Sequence, residues 1–120
     1  MINKKVYIYD TSKGFSSLLK HYYSSKLDFD VCTNIKRFEP DSIEGYDACF
    51  FVVNDMDDFA NLMNLYFKIE HFFVGVPNLI IKDKIERLKY EEIVILEFDK
   101  SKHELLKIIN HSLIQRKLIA

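Results

Sequence analysis

Short apolar segments alternate with stretches of helical periodicity along this whole chain, and this alternation constrains its fold more than any other feature. The apolar segments are rich in β-branched and aromatic residues, which indicates strands. Strands that alternate with helices form a parallel sheet joined by right-handed crossovers. The predicted strands are Lys5–Asp10, Phe29–Thr33, Tyr46–Val53, Phe72–Val76 and Ile93–Phe98.

Helical signals follow four of the five strands clearly. The connection Ile35–Gly45 is the exception, because Pro40 and the residues after it permit one or two helical turns and no more. Ser101 and Glu104 form a capping box ahead of the last helix. The other helices are predicted to start at Phe15, after Asn54 or Asp55, and after Asn78, and the first of them is predicted to end near Lys26.

Five strand–helix units in 120 residues favour one domain, residues 1–120, with an α/β fold. We predict a flavodoxin-like three-layer sandwich with a five-stranded parallel sheet of order 2-1-3-4-5 and a shortened second helix. Tyr46–Val53 is apolar on both faces, as a central strand requires. Cys32 and Cys49 would then flank the first strand on opposite sides, so no disulfide is expected.

Charge and hydropathy exclude several classes of function. The net charge is -1 and the three arginines are far apart in sequence, so we expect no nucleic-acid partner. The longest apolar runs are too short to span a bilayer, and the N-terminal segment lacks the pattern of a signal peptide. We therefore expect a cytoplasmic protein without a membrane partner.

The order of the elements, together with three local likenesses, resembles the receiver domain of two-component response regulators. The first strand ends in an acid, Asp10, and the third begins with Tyr46-Asp47. The fifth is followed by Phe98-Asp99, with Glu104-Leu105-Leu106 downstream. The resemblance covers nearly the full length of the chain and implies the CheY-like fold.

The resemblance also implies where a receiver's chemistry would lie. Receivers phosphorylate an aspartate at the end of the third strand, hold Mg²⁺ with acids after the first, and use a Ser or Thr and a Lys at the ends of the fourth and fifth. The matching positions here are Asp10 and Thr11 for the acid pair, Val52 for the acceptor, Val76 for the hydroxyl and Leu96 for the lysine. Only Asp10 keeps the required chemistry. We therefore predict a degenerate pseudo-receiver, not an enzyme, without a cofactor, that acts through protein–protein contact.

Acids after the third strand leave a second interpretation open. If that strand ran longer, Asp55 would stand at its mouth as an alternative phosphoacceptor with Mg²⁺. Asp10, Asp55 and Asp57 could also converge as a weak Mg²⁺ or Ca²⁺ site. However, Met56-Asp57-Asp58-Phe59 resembles the start of the receiver's third helix, where acids are favoured by the helix dipole.

A third interpretation concerns the loop Thr11–Ser17, which is rich in hydroxyl groups and lies between a strand and a helix N-terminus. Such a loop can bind the phosphate of a small ligand or of FMN. It contains one glycine, and the chain has no tryptophan to stack on a flavin. Ser and Thr are also ordinary helix-capping residues.

The last helix carries apolar residues beyond one face. Ile108, Ile114, Leu118 and Ile119 add to a stripe already formed by Leu105, Leu106, Ile109 and Leu113. A helix that is apolar over more than one face usually has a second partner. We therefore predict that these four residues contact a protein partner, either a signalling protein or a second copy in a homodimer.

Overall fold

The computed structural model describes residues 3–34, 44–65, 68–87 and 93–120. Five parallel strands form one sheet in the order β2-β1-β3-β4-β5, which confirms the predicted topology. The strands are β1 (Lys4–Tyr9), β2 (Leu27–Cys32), β3 (Ala48–Val52), β4 (His71–Val76) and β5 (Ile93–Glu97). The helices are α1 (Gly14–Tyr23), α2 (Met56–Met63), α3 (Leu79–Glu86) and α4 (Lys102–Gln115).

Two hydrophobic clusters cover the two faces of the sheet. Because successive strand side chains point to opposite faces, Ala48, Phe50 and Val52 enter one cluster with α1 and α4, while Cys49 and Phe51 enter the other with α2 and α3. All five residues of β3 are buried. The Tyr46–Val53 segment is therefore the centre of the sheet, as its composition predicted.

Several element boundaries differ from the sequence prediction. α1 ends at Tyr23 because the chain turns immediately afterwards, with the Lys26 amide donating to the Tyr23 carbonyl at 2.9 Å. This turn lets β2 begin at Leu27, which pairs with Lys4. The predicted shortened helix between β2 and β3 falls largely on residues 35–43, outside the described residues.

Sheet order and burial also account for the state of the two cysteines. Cys32 lies on β2 and Cys49 on β3, on either side of β1, and both are free. Burial raises the pKa of the Cys49 thiol well above its usual range.

Within the described ranges, no helix has the length and apolarity needed to cross a membrane.

The C-terminal segment corrects the predicted second face of the last helix. α4 ends at Gln115, and Lys117 adopts a left-handed conformation with φ 61°. The Leu118 amide donates to Leu113 O at 2.9 Å and the Lys117 amide to Ile114 O at 3.0 Å, which is a Schellman motif.

This turn folds the following residues back onto the sheet. Leu118 and Ile119 are therefore buried in the α1–α4 cluster, and Ile108 packs against the same cluster. The four predicted contact residues therefore do not form one free second face, because Leu118 and Ile119 are buried and Ile108 is partly buried. Ile114 is the only one of the four predicted contact residues that is exposed, at 47%.

Candidate functional site

The carboxyl edge of the sheet is where a receiver would carry its chemistry, and here its central row is apolar. Val52, Gly75 and Leu96 are neighbours in register across β3, β4 and β5. Val52 and Leu96 are both fully buried in the α1–α4 cluster. The positions matched to the acceptor aspartate and to the lysine therefore hold aliphatic side chains that water does not reach.

Strand register changes which residue of β4 matches the receiver's Ser or Thr. Val76 belongs to the cluster on the opposite face, with α2 and α3. Gly75 is the residue of β4 in the same row as Val52 and Leu96. Neither residue carries a hydroxyl group, so the inference of a missing hydroxyl holds at either position.

An aromatic ring covers this row. Phe98 follows β5, and a Cβ added to Gly75 would overlap the Phe98 ring. The same ring packs on Phe15 of α1 with centroids 5.0 Å apart. Gly75 is therefore required by the close approach of Phe98, and the space that a β4 side chain would occupy is already filled.

Asp10 is a fully buried carboxylate that binds its own loop. Its Oδ1 accepts from the Ser12 amide at 3.1 Å and from Ser12 Oγ at 2.6 Å, and its Oδ2 accepts from the Ser16 amide at 2.9 Å. These bonds fix the turn that starts α1. Asp10 thus keeps the residue type of the receiver acid but acts as an internal anchor for the helix N-terminus.

The same bonds bear on the predicted phosphate loop, Thr11–Ser17. The amides of Ser12 and Ser16 already donate to the Asp10 carboxylate, and Ser16 Oγ and Ser17 Oγ donate to Lys13 O at 3.0 and 2.9 Å. Four of the donors that could hold a ligand phosphate are therefore bonded within the chain. Thr11 Oγ1 accepts from Asn54 Nδ2 at 3.2 Å, which ties the β1 and β3 ends together.

A second buried carboxylate, Asp58, was not identified from the sequence. Its Oδ1 accepts from the Tyr9 hydroxyl at 2.8 Å and its Oδ2 from the Asn54 amide at 2.9 Å. Burial, followed by this hydrogen bond, raises the pKa of Tyr9 well above its usual range. A tyrosine at the end of a buried strand needs a hydrogen-bond partner for its hydroxyl. This requirement of Tyr9 was the one sequence signal that could have pointed to Asp58.

Asp55 and Asp57 lie at the start of α2, and neither is part of a three-ligand site. Asp55 is the exposed N-cap, and its Oδ1 accepts from the Asp58 amide at 2.9 Å. Asp57 is an exposed acid in the first turn. Among the described residues, no group of three or more His, Cys, Asp or Glu side chains is arranged to hold a metal ion. The predicted convergence of Asp10, Asp55 and Asp57 into such a group is not observed.

Capping gives a first testable consequence. We expect Asp55→Ala to lower the free energy of unfolding by about 1 kcal/mol, because the Asp58 amide loses its acceptor. Asp57→Ala is the matched control, since it removes a first-turn acid without a capping bond and should cost only a few tenths, about 0.3 kcal/mol. Urea denaturation measures both, and equal losses would contradict the capping role.

The end of β5 carries an ion-pair cluster centred on Glu97, the residue after the position matched to the receiver's lysine. Lys82 Nζ lies 2.6 Å from Glu97 Oε1, and Lys100 Nζ lies 3.6 Å from Glu97 Oε2. The bond between Glu97 and Lys82 lowers the pKa of the carboxyl and raises that of the ammonium group. The cleft beside them has a volume of about 10 Å³, roughly enough for one water molecule.

Comparison with solved structures defines the fold class. A CheY-like response regulator receiver domain from Methanospirillum hungatei matches with a TM-score of 0.68 and 12% identity, covering 97% of this chain and 98% of that chain. The receiver domain of a Francisella response regulator matches with a TM-score of 0.65 and 19% identity, covering 96% and 98%. A protein described as adenylate cyclase from Rhodopirellula baltica matches with a TM-score of 0.63 and 13% identity, covering 98% and 92%.

These likenesses establish the fold of this chain as that of CheY-like receiver domains. At 12 to 19% identity they establish the fold alone. No protein-family profile matches the sequence, and no curated protein matches it.

Proposed function

We propose that this chain is a receiver-like signalling domain that works without phosphorylation, through contact with another protein. The single observation that carries the proposal is the buried row Val52, Gly75 and Leu96 beneath the Phe98 ring. Phosphoryl transfer to a protein needs a carboxylate nucleophile, a cation and donors for the transferred oxygens. This row supplies none of these groups.

Asp10 and Asp58 support the same proposal. Both carboxylates are buried, and each accepts hydrogen bonds from the chain at both of its oxygens. Both oxygens of each carboxylate are therefore already used in internal hydrogen bonds, and a Mg²⁺ ion would have to compete with these bonds at a buried position. The polar groups at this edge therefore act as structural bonds between β1, β3 and the helices that follow them.

The proposal is tested by intact mass after incubation with acetyl phosphate and Mg²⁺. We expect no mass increase of one phosphoryl group, because the described residues in the row at the end of β3 are Val52, Gly75 and Leu96, which supply no carboxylate, hydroxyl or lysine. An authentic receiver domain treated in parallel is the positive control for the phosphodonor. A stoichiometric adduct on this chain would overturn the proposal.

Variants then identify the alternative functions. An adduct that disappears in Asp55→Asn and persists in Asp57→Asn would assign the phosphoacceptor to Asp55. Co-purified nucleotide or flavin, detected by absorbance after denaturation, would favour the third interpretation, a ligand at Thr11–Ser17. The bonds from Ser12 and Ser16 to Asp10 argue against that ligand.

A further inference from the structure

The three most exposed large hydrophobic side chains of the described residues lie at one corner of the molecule. Leu79 is 72% exposed, Ile80 is 70% exposed and Met56 is 54% exposed. Met56 opens α2 and Leu79 opens α3, directly after the N-caps Asp55 and Asn78. We call Met56, Leu79 and Ile80 the apolar corner.

Strand register shows that these residues occupy equivalent places in adjacent strand–helix units. Val52 pairs with Gly75, and Met56 and Leu79 each follow their paired residue by the same number of positions. Both N-caps have nearly the same backbone geometry, with φ -150° for Asp55 and -155° for Asn78. The corner therefore projects from the carboxyl edge of the sheet, on the α2–α3 face.

The corner has an acidic border. Asp55 and Asp57 stand on either side of Met56 in sequence, and both are exposed. Two large aliphatic side chains in one exposed helical turn are costly to leave in water, so a patch of this kind marks a contact surface. A surface complementary to the corner would be an apolar recess bordered by positive charges.

Such a recess exists at the opposite edge of the same chain. A groove of about 780 Å³ lies where β1 begins and α4 ends, and Lys4, Lys26 and Lys117 line it. Its apolar lining is mainly the exposed Ile114, together with the small exposed parts of Leu118 and Ile119, which are 5% and 9% exposed after the Schellman turn folds them onto the sheet. Ala120 also lines the groove and contributes no charged side chain. We call this the basic groove.

The lysines of the basic groove have no acidic partner in the described part of the chain, where the ion pairs involve Lys82, Arg87 and Lys100. The groove volume falls within the range of roughly 300–1,000 Å³ that accommodates bound groups. It can therefore accept the aliphatic side chains of the corner while its lysines meet the two aspartates.

We propose that copies of this chain associate head to tail, with the apolar corner of one copy seated in the basic groove of the next. The inference deepens the proposed interaction role and rests on it. The two surfaces lie at opposite edges and on opposite faces, so one pair of copies cannot satisfy both contacts at once. The contact is heterologous, and it extends into chains or larger rings.

Sedimentation velocity over a range of protein concentrations tests the assembly. The wild-type chain should show an average mass that rises with concentration and falls in 1 M salt, because exposed charges are screened over a few ångströms there (a Debye length of about 3 Å). A strict monomer at millimolar concentration would overturn the proposal. A dimer that does not grow further and does not respond to salt would overturn it as well.

Paired variants identify the two surfaces. Leu79→Ser with Ile80→Ser removes the corner, and Lys26→Glu with Lys117→Glu reverses the groove. All four side chains are exposed, so folding should be preserved, and circular dichroism checks it. Each double variant alone should be monomeric. An equimolar mixture should form a one-to-one dimer and nothing larger, since one intact corner then meets one intact groove.

Matched controls use exposed residues that belong neither to the apolar corner nor to the lining of the basic groove. Lys20→Glu with Lys107→Glu makes the same change in charge, and Tyr22→Ser removes an exposed aromatic side chain; both should associate like wild type. A mixture that stays monomeric, or a groove variant that still associates, would show that the corner docks elsewhere. Failure here leaves the phosphodonor result unaffected, so this inference and the proposed function fail separately.

Discussion

Val52→Asp is expected to unfold or nearly unfold the protein and to leave it unphosphorylated. The new carboxylate would lie in a buried hydrophobic cluster in which none of the described residues is positively charged. Burial of this kind raises a carboxyl pKa by several units, which corresponds to a loss of about 4 kcal/mol or more at neutral pH. Total stabilities of domains are only about 5–15 kcal/mol, so the loss is large.

The pH dependence separates a charge effect from a packing effect. The folded-state pKa of the new Asp would lie above its unfolded value of about 3.9, so the unfolded state releases its proton first. The penalty relative to wild type should therefore be smallest near about pH 4 and should grow as pH rises toward the folded-state pKa. Val52→Asn is the control, because it has nearly the same size and cannot ionise.

Urea denaturation between acidic and neutral pH measures this difference. A Val52→Asp variant as stable at neutral pH as Val52→Asn would contradict the buried, cation-free environment of the row. Where enough of the variant is folded, acetyl phosphate should still add nothing. Leu96 and Gly75 supply neither the lysine nor the hydroxyl that the reaction needs, whichever residue stands at position 52.

Asp10→Ala is expected to cost about 2–4 kcal/mol of stability, the sum of an N-terminal anchor and a buried amide left without an acceptor. The Ser16 amide loses its bond at 2.9 Å and the Ser12 amide and hydroxyl lose theirs. Ser12→Ala removes a single hydroxyl bond to the same carboxylate at an exposed residue, so it should cost about 1 kcal/mol or less.

Thermal melting with and without Mg²⁺ distinguishes an anchor from a metal ligand. If Asp10 acts only as an anchor, millimolar Mg²⁺ should change neither the melting temperature of the wild type nor that of Asp10→Ala. A stabilisation by Mg²⁺ that the wild type shows and the variant loses would reveal binding to the native state. That result would support Asp10 as a cation ligand and would contradict its role as an internal anchor.

Local sequence signals predicted much of this fold because their causes are local. Strand and helix periodicity, and caps such as Asn78 and Ser101, depend on neighbouring residues only. Both caps accept the predicted amide bonds, from Ile81 and Glu104. Boundaries were less reliable, as at the end of α1. Its apolar stripe stops at Tyr23, but Ser24, Ser25 and Lys26 include no glycine or proline that would mark the end of a helix.

The positions of the candidate site residues depend on the register of the strands as well as on local signals. Spacing along β3 and β5 identified Val52 and Leu96, and the register places them in one row. Spacing could not tell that Gly75, rather than Val76, shares their face, since that depends on how adjacent strands align. Nor could it show that Phe98 would cover the row.

The sequence by itself determined the order of strands and helices and the apolar character of the strand ends at Val52 and Leu96. Only the tertiary structure decided what the remaining polar groups do. Asp58 meets Tyr9 across 49 residues of chain, and Asp10 turns inward to its own loop. The Lys117 turn buries Leu118 and Ile119 and leaves a groove opposite the apolar corner. These outcomes depend on which side chains the packed sheet and helices bring together, and periodicity along the chain carries no information about that.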